Sequence, residues 1–125
     1  MKIRARILSF KYAFQGLKDL FTTQDNAKIH ALMMLLSVLM GWFFELSTTE
    51  WCLIVFAIAS VLAAEAFNTA LEYITDLVSP EHHALAGRTK DAAAAGVLLT
   101  AMGAATVGLI IFLPKCYQLL LNLLS

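Results

Sequence analysis

Charged residues are scarce in this sequence: they make up 14% of its 125 residues, whereas a small soluble domain usually carries about 25%. Hydrophobic residues make up 60%, and the mean hydropathy is +0.76. A chain of this composition cannot cover a water-exposed surface with polar side chains, which excludes an ordinary soluble fold. The length allows one domain, which we expect to span residues 1–125.

Cysteine is also rare, with only Cys52 and Cys116 present. Two such distant residues have neither the spacing of a metal site nor the number needed for a disulfide framework. We expect both to be free side chains packed in a membrane. Glycine-rich phosphate loops of the two common kinds are missing, so a nucleotide site would have to be unconventional. The net charge is zero, and we expect no nucleic-acid partner.

Basic residues are concentrated near the N-terminus. Apolar side chains recur there at alternating steps of three and four, which places them on one helical face. This pattern predicts an amphipathic helix within residues 1–28 that lies on an anionic membrane surface. A basic amphipathic start is not a cleavable signal pattern. The basic residues are Lys2, Arg4, Arg6, Lys11, Lys18 and Lys28, and the apolar ones are Ile3, Ile7, Phe10, Phe14, Leu17 and Phe21.

Three apolar segments follow, at 29–46, 51–78 and 92–113. A membrane span needs about 20 residues. The uncharged part of the second segment is shorter than that, but a helix that stopped there would leave backbone groups unpaired in hydrocarbon. We therefore predict that this helix continues through its acidic residues until Pro80 ends it. Asp91 is the expected cap of the third membrane helix.

The remaining basic residues predict the orientation of these helices. Arg88 and Lys90 lie in the second loop, whereas the 45–50 turn has no basic residue. The positive-inside rule then places the N-terminus and the second loop in the cytoplasm. The third segment is rich in alanine and glycine, which allow close helix approach in lipid. We expect an all-α membrane protein that forms an oligomer.

Four polar residues of the second segment form an acidic stripe, which we define as Glu65, Asn68, Glu72 and Asp76. At 100° per residue, and measured around the helix axis from Glu65, they lie at about 0°, −60°, −20° and +20°, so they share one helical face. Counted from Trp51 at the outer interface, Glu65 lies about 21 Å inward, Glu72 about 32 Å and Asp76 about 38 Å. Glu65 is therefore expected in the inner part of the membrane, where an acidic residue is costly and a functional candidate.

The stripe alone is compatible with proton transport, ion binding or chemistry on a lipid headgroup. Asp76 could simply be a solvated residue at a helix end, and Asn68 could join neighbouring helices. The following loop, EHHALAGRTKD, adds histidines, acids and cations on the cytoplasmic side. Carboxylates beside a cation such as Lys90 suit phosphoryl transfer, although Arg88 and Lys90 could equally serve as membrane anchors. A proton-coupled transporter that uses Glu65 and a non-catalytic assembly subunit are the alternatives.

The segments EAFNTALEYITD and PEHHALAGRTKD resemble the signature of the bacterial integral-membrane diacylglycerol kinases and undecaprenol kinases. The resemblance extends upstream through YAFQGL and downstream through the third apolar segment. It implies a lipid kinase of the bacterial inner membrane that uses ATP and Mg²⁺ and has its active site on the cytoplasmic side. It also implies a homotrimer with sites shared between subunits.

The resemblance assigns roles to individual residues. It makes Glu65 the catalytic base for the lipid hydroxyl and Glu72 a metal ligand. A second family metal ligand, usually glutamate, corresponds to Gln24, which has an amide oxygen but no charge, so the site could either bind metal more weakly or recruit neighbouring Asp25. The supporting polar residues of the stripe are Asn68 and Asp76, and the implied ATP-binding residues are Tyr12, Glu81, His82, His83, Lys90 and Asp91. Whether the acceptor is diacylglycerol or undecaprenol stays open.

Overall fold

The computed structural model describes residues 3–124, and these form four α-helices. They are α1 (Ile3–Thr23), α2 (Asp25–Phe43), α3 (Thr48–Val78) and α4 (Ala84–Leu124). Within the described residues, α2, α3 and α4 are long and apolar enough to cross a membrane. The predictions of an all-α protein and of three helices that could span a membrane are therefore confirmed. The position of α1 on the membrane surface stays a prediction.

The boundary between the first two helices differs from the predicted division at residues 28 and 29. The chain breaks at Gln24, whose φ of −103° and ψ of 113° are those of extended backbone. The next helix begins at Asp25, so the last part of the predicted surface segment belongs to α2. Lys2, one of the six N-terminal basic residues, lies outside the described residues, as do Met1 and Ser125.

The last helix begins earlier than expected, and the prediction that Asp91 caps it is wrong. The α4 helix starts at Ala84, because the imidazole Nδ1 of His83 accepts a hydrogen bond from the backbone N–H of Leu85 at 3.1 Å. This contact satisfies one of the free N–H groups that a helix start exposes. No proline follows until Pro114, which α4 also contains. The predicted segment 92–113 is thus the middle of a longer helix.

A tight corner joins α2 to α3. Ser47 and Glu50 form a capping box: the Ser47 hydroxyl accepts from the Glu50 N–H, and the Glu50 carboxylate accepts from the Ser47 N–H at 2.8 Å. Glu45 has a positive φ of 50°, and it ends the helical path that began at Asp25. The main apolar cluster of buried residues lies at this corner and consists of Leu46, Ile54, Ile111 and Phe112.

The membrane helices run antiparallel to their neighbours. Lys90 of α4 pairs with Asp76 near the end of α3, and Lys115 pairs with Glu50 at the beginning of α3, 3.1 Å away. The α1–α2 junction meets α3 near Glu72. Consequently the N-terminal helix and the α3–α4 loop lie at one end of the bundle, and the α2–α3 corner lies at the other end.

Replacing Gly41 with alanine should destabilise the protein. A Cβ atom at this buried position would lie 2.7 Å from the Trp51 ring and 3.2 Å from Leu46, so the corner would have to shift. Overpacking of this kind typically costs about 1–3 kcal/mol. The thermal midpoint of Gly41→Ala in detergent checks the prediction. Gly16→Ala is the matched control, because no atom lies within 4 Å of its added Cβ, and a midpoint equal to the control's would contradict the prediction.

Candidate active site

The acidic stripe of α3 lies at the end of the bundle where α1, α2 and the α3–α4 loop meet. Glu65 and Asn68 are buried, Glu72 is half-buried and Asp76 is exposed. Burial therefore decreases along the stripe toward the helix end. This order agrees with the depth order expected from the rise of a helix, in which Glu65 is deepest.

Two amide groups hold the Glu72 carboxylate. Gln24 donates from Nε2 to Glu72 Oε2 at 3.0 Å, and Asn68 donates from Nδ2 to Glu72 Oε1 at 2.9 Å. Gln24 can reach across because the chain is extended between α1 and α2. The structure thus brings together the residues that the sequence paired as metal ligands, although the Gln24 contact is made through the amide nitrogen.

Asp25 does not take the place of the missing acidic ligand. Its carboxylate pairs with Lys28 at 2.7 Å and is 90% exposed. The helical periodicity of α2 directs Asp25 away from Glu72, while Gln24 precedes the first helical turn and faces α3. In this structure the Asp25 carboxylate is therefore paired with Lys28, and recruitment of Asp25 to a metal stays a prediction.

The Glu65 carboxylate is almost completely enclosed, with its side chain 2% exposed. The His30 Nε2 atom of α2 lies 3.2 Å from Glu65 Oε1. Oε1 has no hydrogen bond within residues 3–124, so the imidazole is at ion-pair distance without hydrogen-bond alignment. The other carboxylate oxygen, Oε2, is not among the fully buried atoms without a hydrogen bond in the described residues.

A second polar group lies where α3 meets α4. Lys90 donates a hydrogen bond to Asp76 across the two helices. A cavity of about 310 Å³ lies beside this pair, and five of the predicted site residues line it. They are Asp76, Glu81, His82, His83 and Lys90. The structure thus gathers most of the residues that the sequence assigned to nucleotide binding.

Three of the predicted nucleotide-binding residues differ in their relation to this cavity. The Nδ1 atom of His83 caps α4, which leaves its other ring nitrogen for a ligand. Asp91 is exposed and does not line the cavity. Tyr12 is 63% exposed on α1 and does not line it either.

Sequence reasoning missed two contacts that build this site. Tyr73 donates a hydrogen bond to Asp19 at 2.6 Å, which joins α1 to α3 beside the Gln24–Glu72 contact. The other missed residue is His30. A histidine inside the first apolar segment was the available signal, because ionisable residues within membrane helices are functional candidates.

The residues present fit a magnesium ion whose ligands come mainly from phosphate groups. Within the described chain no group of three or more His, Cys, Asp or Glu residues could hold a metal. Mg²⁺ commonly takes one or two carboxylates and completes its shell with water and substrate phosphates. Glu72 supplies one carboxylate, and the buried Asn68 Oδ1 beside it has no hydrogen-bond partner. One carboxylate and one amide oxygen without a partner are compatible with a magnesium shell of this kind.

Comparison with known proteins identifies the family of this chain. Residues 11–112 match the family described as prokaryotic diacylglycerol kinase. The chain is 38% identical over 107 residues to the undecaprenol kinase of Bacillus subtilis, covering 86% of this chain and 87% of that protein. It is 34% identical over 115 residues to the diacylglycerol kinase of Synechocystis, covering 91% of this chain and 66% of that protein. A diacylglycerol kinase of Haemophilus influenzae is 30% identical over 93 residues, which are 74% of this chain and 79% of that protein. The family match and these relatives establish that the chain belongs to the prokaryotic diacylglycerol kinase family.

Proposed function

We propose that this protein transfers the γ-phosphate of MgATP to the hydroxyl group of a membrane lipid. The relatives named above are lipid kinases, and membership of their family makes this chain a prokaryotic lipid kinase. Its acceptor is proposed to be diacylglycerol or undecaprenol. The products would be phosphatidic acid or undecaprenyl phosphate, together with ADP.

One observation carries this proposal: α3 holds two carboxylates of different environment on one face. Glu65 is buried among the apolar residues of a membrane-spanning helix, while Glu72 lies nearer the helix end between two amides. A lipid hydroxyl at the membrane interface would meet the first carboxylate, and a water-soluble nucleotide would meet the second. This arrangement suits a reaction between one substrate in the membrane and another in water.

Glu65 is the proposed general base. Its Oε2 accepts the proton of the lipid hydroxyl while the hydroxyl oxygen forms a bond to the γ-phosphorus. The bond between that phosphorus and the bridging oxygen of ADP breaks in the same step. Because Glu65 is 2% exposed, its side chain or α2 must shift slightly before a lipid hydroxyl can reach Oε2.

Glu72 is the proposed ligand for the magnesium ion, and the side-chain amides of Asn68 and Gln24 donate hydrogen bonds to its carboxylate. The ion supplies neutralisation of the phosphate charge when it is bound. The Asn68 and Gln24 side chains hold the carboxylate in one orientation before the nucleotide arrives. This pre-orientation reduces the reorganisation that binding would otherwise require.

The cavity beside Lys90 is the proposed binding place for the rest of the nucleotide. A lysine ammonium group stabilises phosphate charge, and His82 and Glu81 line the same space. Tyr12 and Asp91 are assigned by the family resemblance, and another subunit could bring them to this cavity. Large apolar side chains stay exposed along α2 and α4, which leaves surface for lipid and for the homotrimer that we propose.

The proposed location is the bacterial inner membrane, with the site facing the cytoplasm. Lys18 and Lys28 lie on either side of the α1–α2 junction, which meets α3 near Glu72, and Arg88 and Lys90 lie at the same end, at the beginning of α4. The positive-inside rule assigns that end to the cytoplasm. ATP is available on that side, as the proposed reaction requires.

The direct test is an assay of purified protein in mixed micelles with ATP and Mg²⁺. Diacylglycerol and undecaprenol are offered separately, and a third sample contains neither lipid. We expect ATP-dependent phosphorylation of at least one lipid and no product when EDTA removes Mg²⁺. Absence of lipid phosphorylation in all samples would overturn the proposal, and ion flux in liposomes without ATP consumption would favour the transporter alternative.

A further inference from the structure

Helix α2 places one titratable side chain against the proposed catalytic base. His30 Nε2 lies 3.2 Å from Glu65 Oε1, and the two side chains are 23% and 2% exposed. A carboxylate enclosed in a membrane helix costs several kcal/mol unless it is paired or hydrated. His30 therefore occupies the position from which a partner of Glu65 would act.

The other polar side chains near Glu65 are engaged elsewhere. The amides of Asn68 and Gln24 donate to Glu72. The Thr69 hydroxyl donates to the backbone carbonyl of Glu65 at 3.0 Å and so does not serve the carboxylate. Within residues 3–124, His30 is the side chain left to contact the Glu65 carboxylate.

The helix register supports this pairing independently. Gln24, which directly precedes α2, meets Glu72 on α3, and six residues later His30 of α2 meets Glu65, which lies seven residues earlier on α3. Two antiparallel helices with the same rise per residue produce this correspondence. One packing of α2 against α3 thus gives each carboxylate its own partner.

We infer that His30 is a positioning residue that holds Glu65 Oε1 and thereby directs Oε2 toward the acceptor hydroxyl. This inference rests on the proposed lipid kinase reaction and adds a residue to it. The observed separation of 3.2 Å is within hydrogen-bond distance, so alignment of the ring N–H with Oε1 would complete a hydrogen bond. Without the imidazole, the carboxylate would be free to turn away, and a displacement of about 1 Å at a reacting group can cost roughly 100-fold in rate.

Three substitutions of His30 separate positioning from packing. Glutamine can place an amide N–H near the position of Nε2, asparagine reaches only the position of Nδ1, and leucine fills space without a donor. In the micelle assay we expect His30→Leu and His30→Asn to lower kcat roughly 10- to 100-fold, whereas His30→Gln should retain most of it. The KM for MgATP should stay nearly constant, because His30 contacts Glu65 and not Glu72.

A second measurement uses the Glu65→Gln background. If His30 acts through Glu65, adding His30→Leu there should cause no further loss of kcat, because the two residues act as a unit. If all three His30 variants lost kcat to the same extent and their thermal midpoints also fell together, His30 would have a packing role and the inference would be overturned. An unchanged kcat in His30→Leu would overturn the inference about His30 but leave the proposed lipid kinase function standing. A wild-type protein that phosphorylates no lipid would overturn the proposed function and this inference with it.

Discussion

Replacing Glu65 with glutamine should lower kcat for lipid phosphorylation about 10²- to 10⁴-fold, the range that loss of a general base costs. Glutamine has nearly the same shape as glutamate, but its amide cannot take the proton of the lipid hydroxyl. The KM for MgATP should change little, because the hydrogen bonds of Glu72 and Lys90 are made to Gln24, Asn68 and Asp76 and not to Glu65. Initial rates in mixed micelles at saturating lipid and MgATP provide the measurement.

The thermal midpoint separates this loss of activity from a loss of folding. Glu65 is 2% exposed, and neutralising a buried carboxylate removes a cost of burial, so Glu65→Gln should be at least as stable as the wild type. Glu45→Gln is the matched control, since it makes the same chemical change at an exposed residue of the opposite end and should leave kcat unchanged. Full activity of the Glu65→Gln variant would exclude Glu65 as the general base.

Replacing Glu72 with glutamine should lower the apparent affinity for Mg²⁺ by at least about 10-fold, since loss of even an outer-shell partner of a metal ligand typically costs that much. Glutamine at this position keeps one oxygen for the amides of Asn68 and Gln24 but has no charge for the ion. The apparent KM for MgATP should therefore rise, and kcat should recover partly at high Mg²⁺. A Mg²⁺ titration of the initial rate tests this, and an unchanged KM would contradict a metal role.

The reverse substitution, Gln24→Glu, places a second carboxylate beside Glu72. The present contact between the two side chains is 3.0 Å long, and two like charges at that distance repel each other. This variant should be less stable than the wild type without Mg²⁺ and should gain stability when Mg²⁺ is added. The thermal midpoint as a function of Mg²⁺ is the readout, with Gln118→Glu at an exposed position of α4 as control. A thermal midpoint of Gln24→Glu that does not change with Mg²⁺ concentration would argue against metal binding between residues 24 and 72.

The sequence predicted the helices and the acidic stripe well, because both depend on periodicity and composition. A helix repeats every 3.6 residues, so the spacing of Glu65, Asn68, Glu72 and Asp76 was sufficient to place them on one face. The termination of α3 before Pro80 was equally accessible, since proline interrupts a helix. The assignment of Glu81, His82, His83 and Lys90 to one site came from the family resemblance, and they line one cavity.

Helix ends were less predictable. The start of α4 depends on a hydrogen bond from Leu85 to the ring of His83, and histidine is not among the residues that commonly cap helices. The break at Gln24 has no proline or glycine to announce it. Both boundaries result from local contacts whose contribution differs by about 1 kcal/mol or less between alternatives, which sequence patterns do not resolve.

By itself, the sequence determined that this chain has several apolar helices and that α3 carries acids of graded depth. Those features follow from hydropathy and from the geometry of one helix. The tertiary structure decided which side chains from other helices meet those acids: Gln24 beside Glu72, His30 beside Glu65 and Lys90 beside Asp76. Such contacts depend on the register between helices, because shifting α2 by one turn would move its side chains about 5.4 Å along α3 and give both carboxylates different partners.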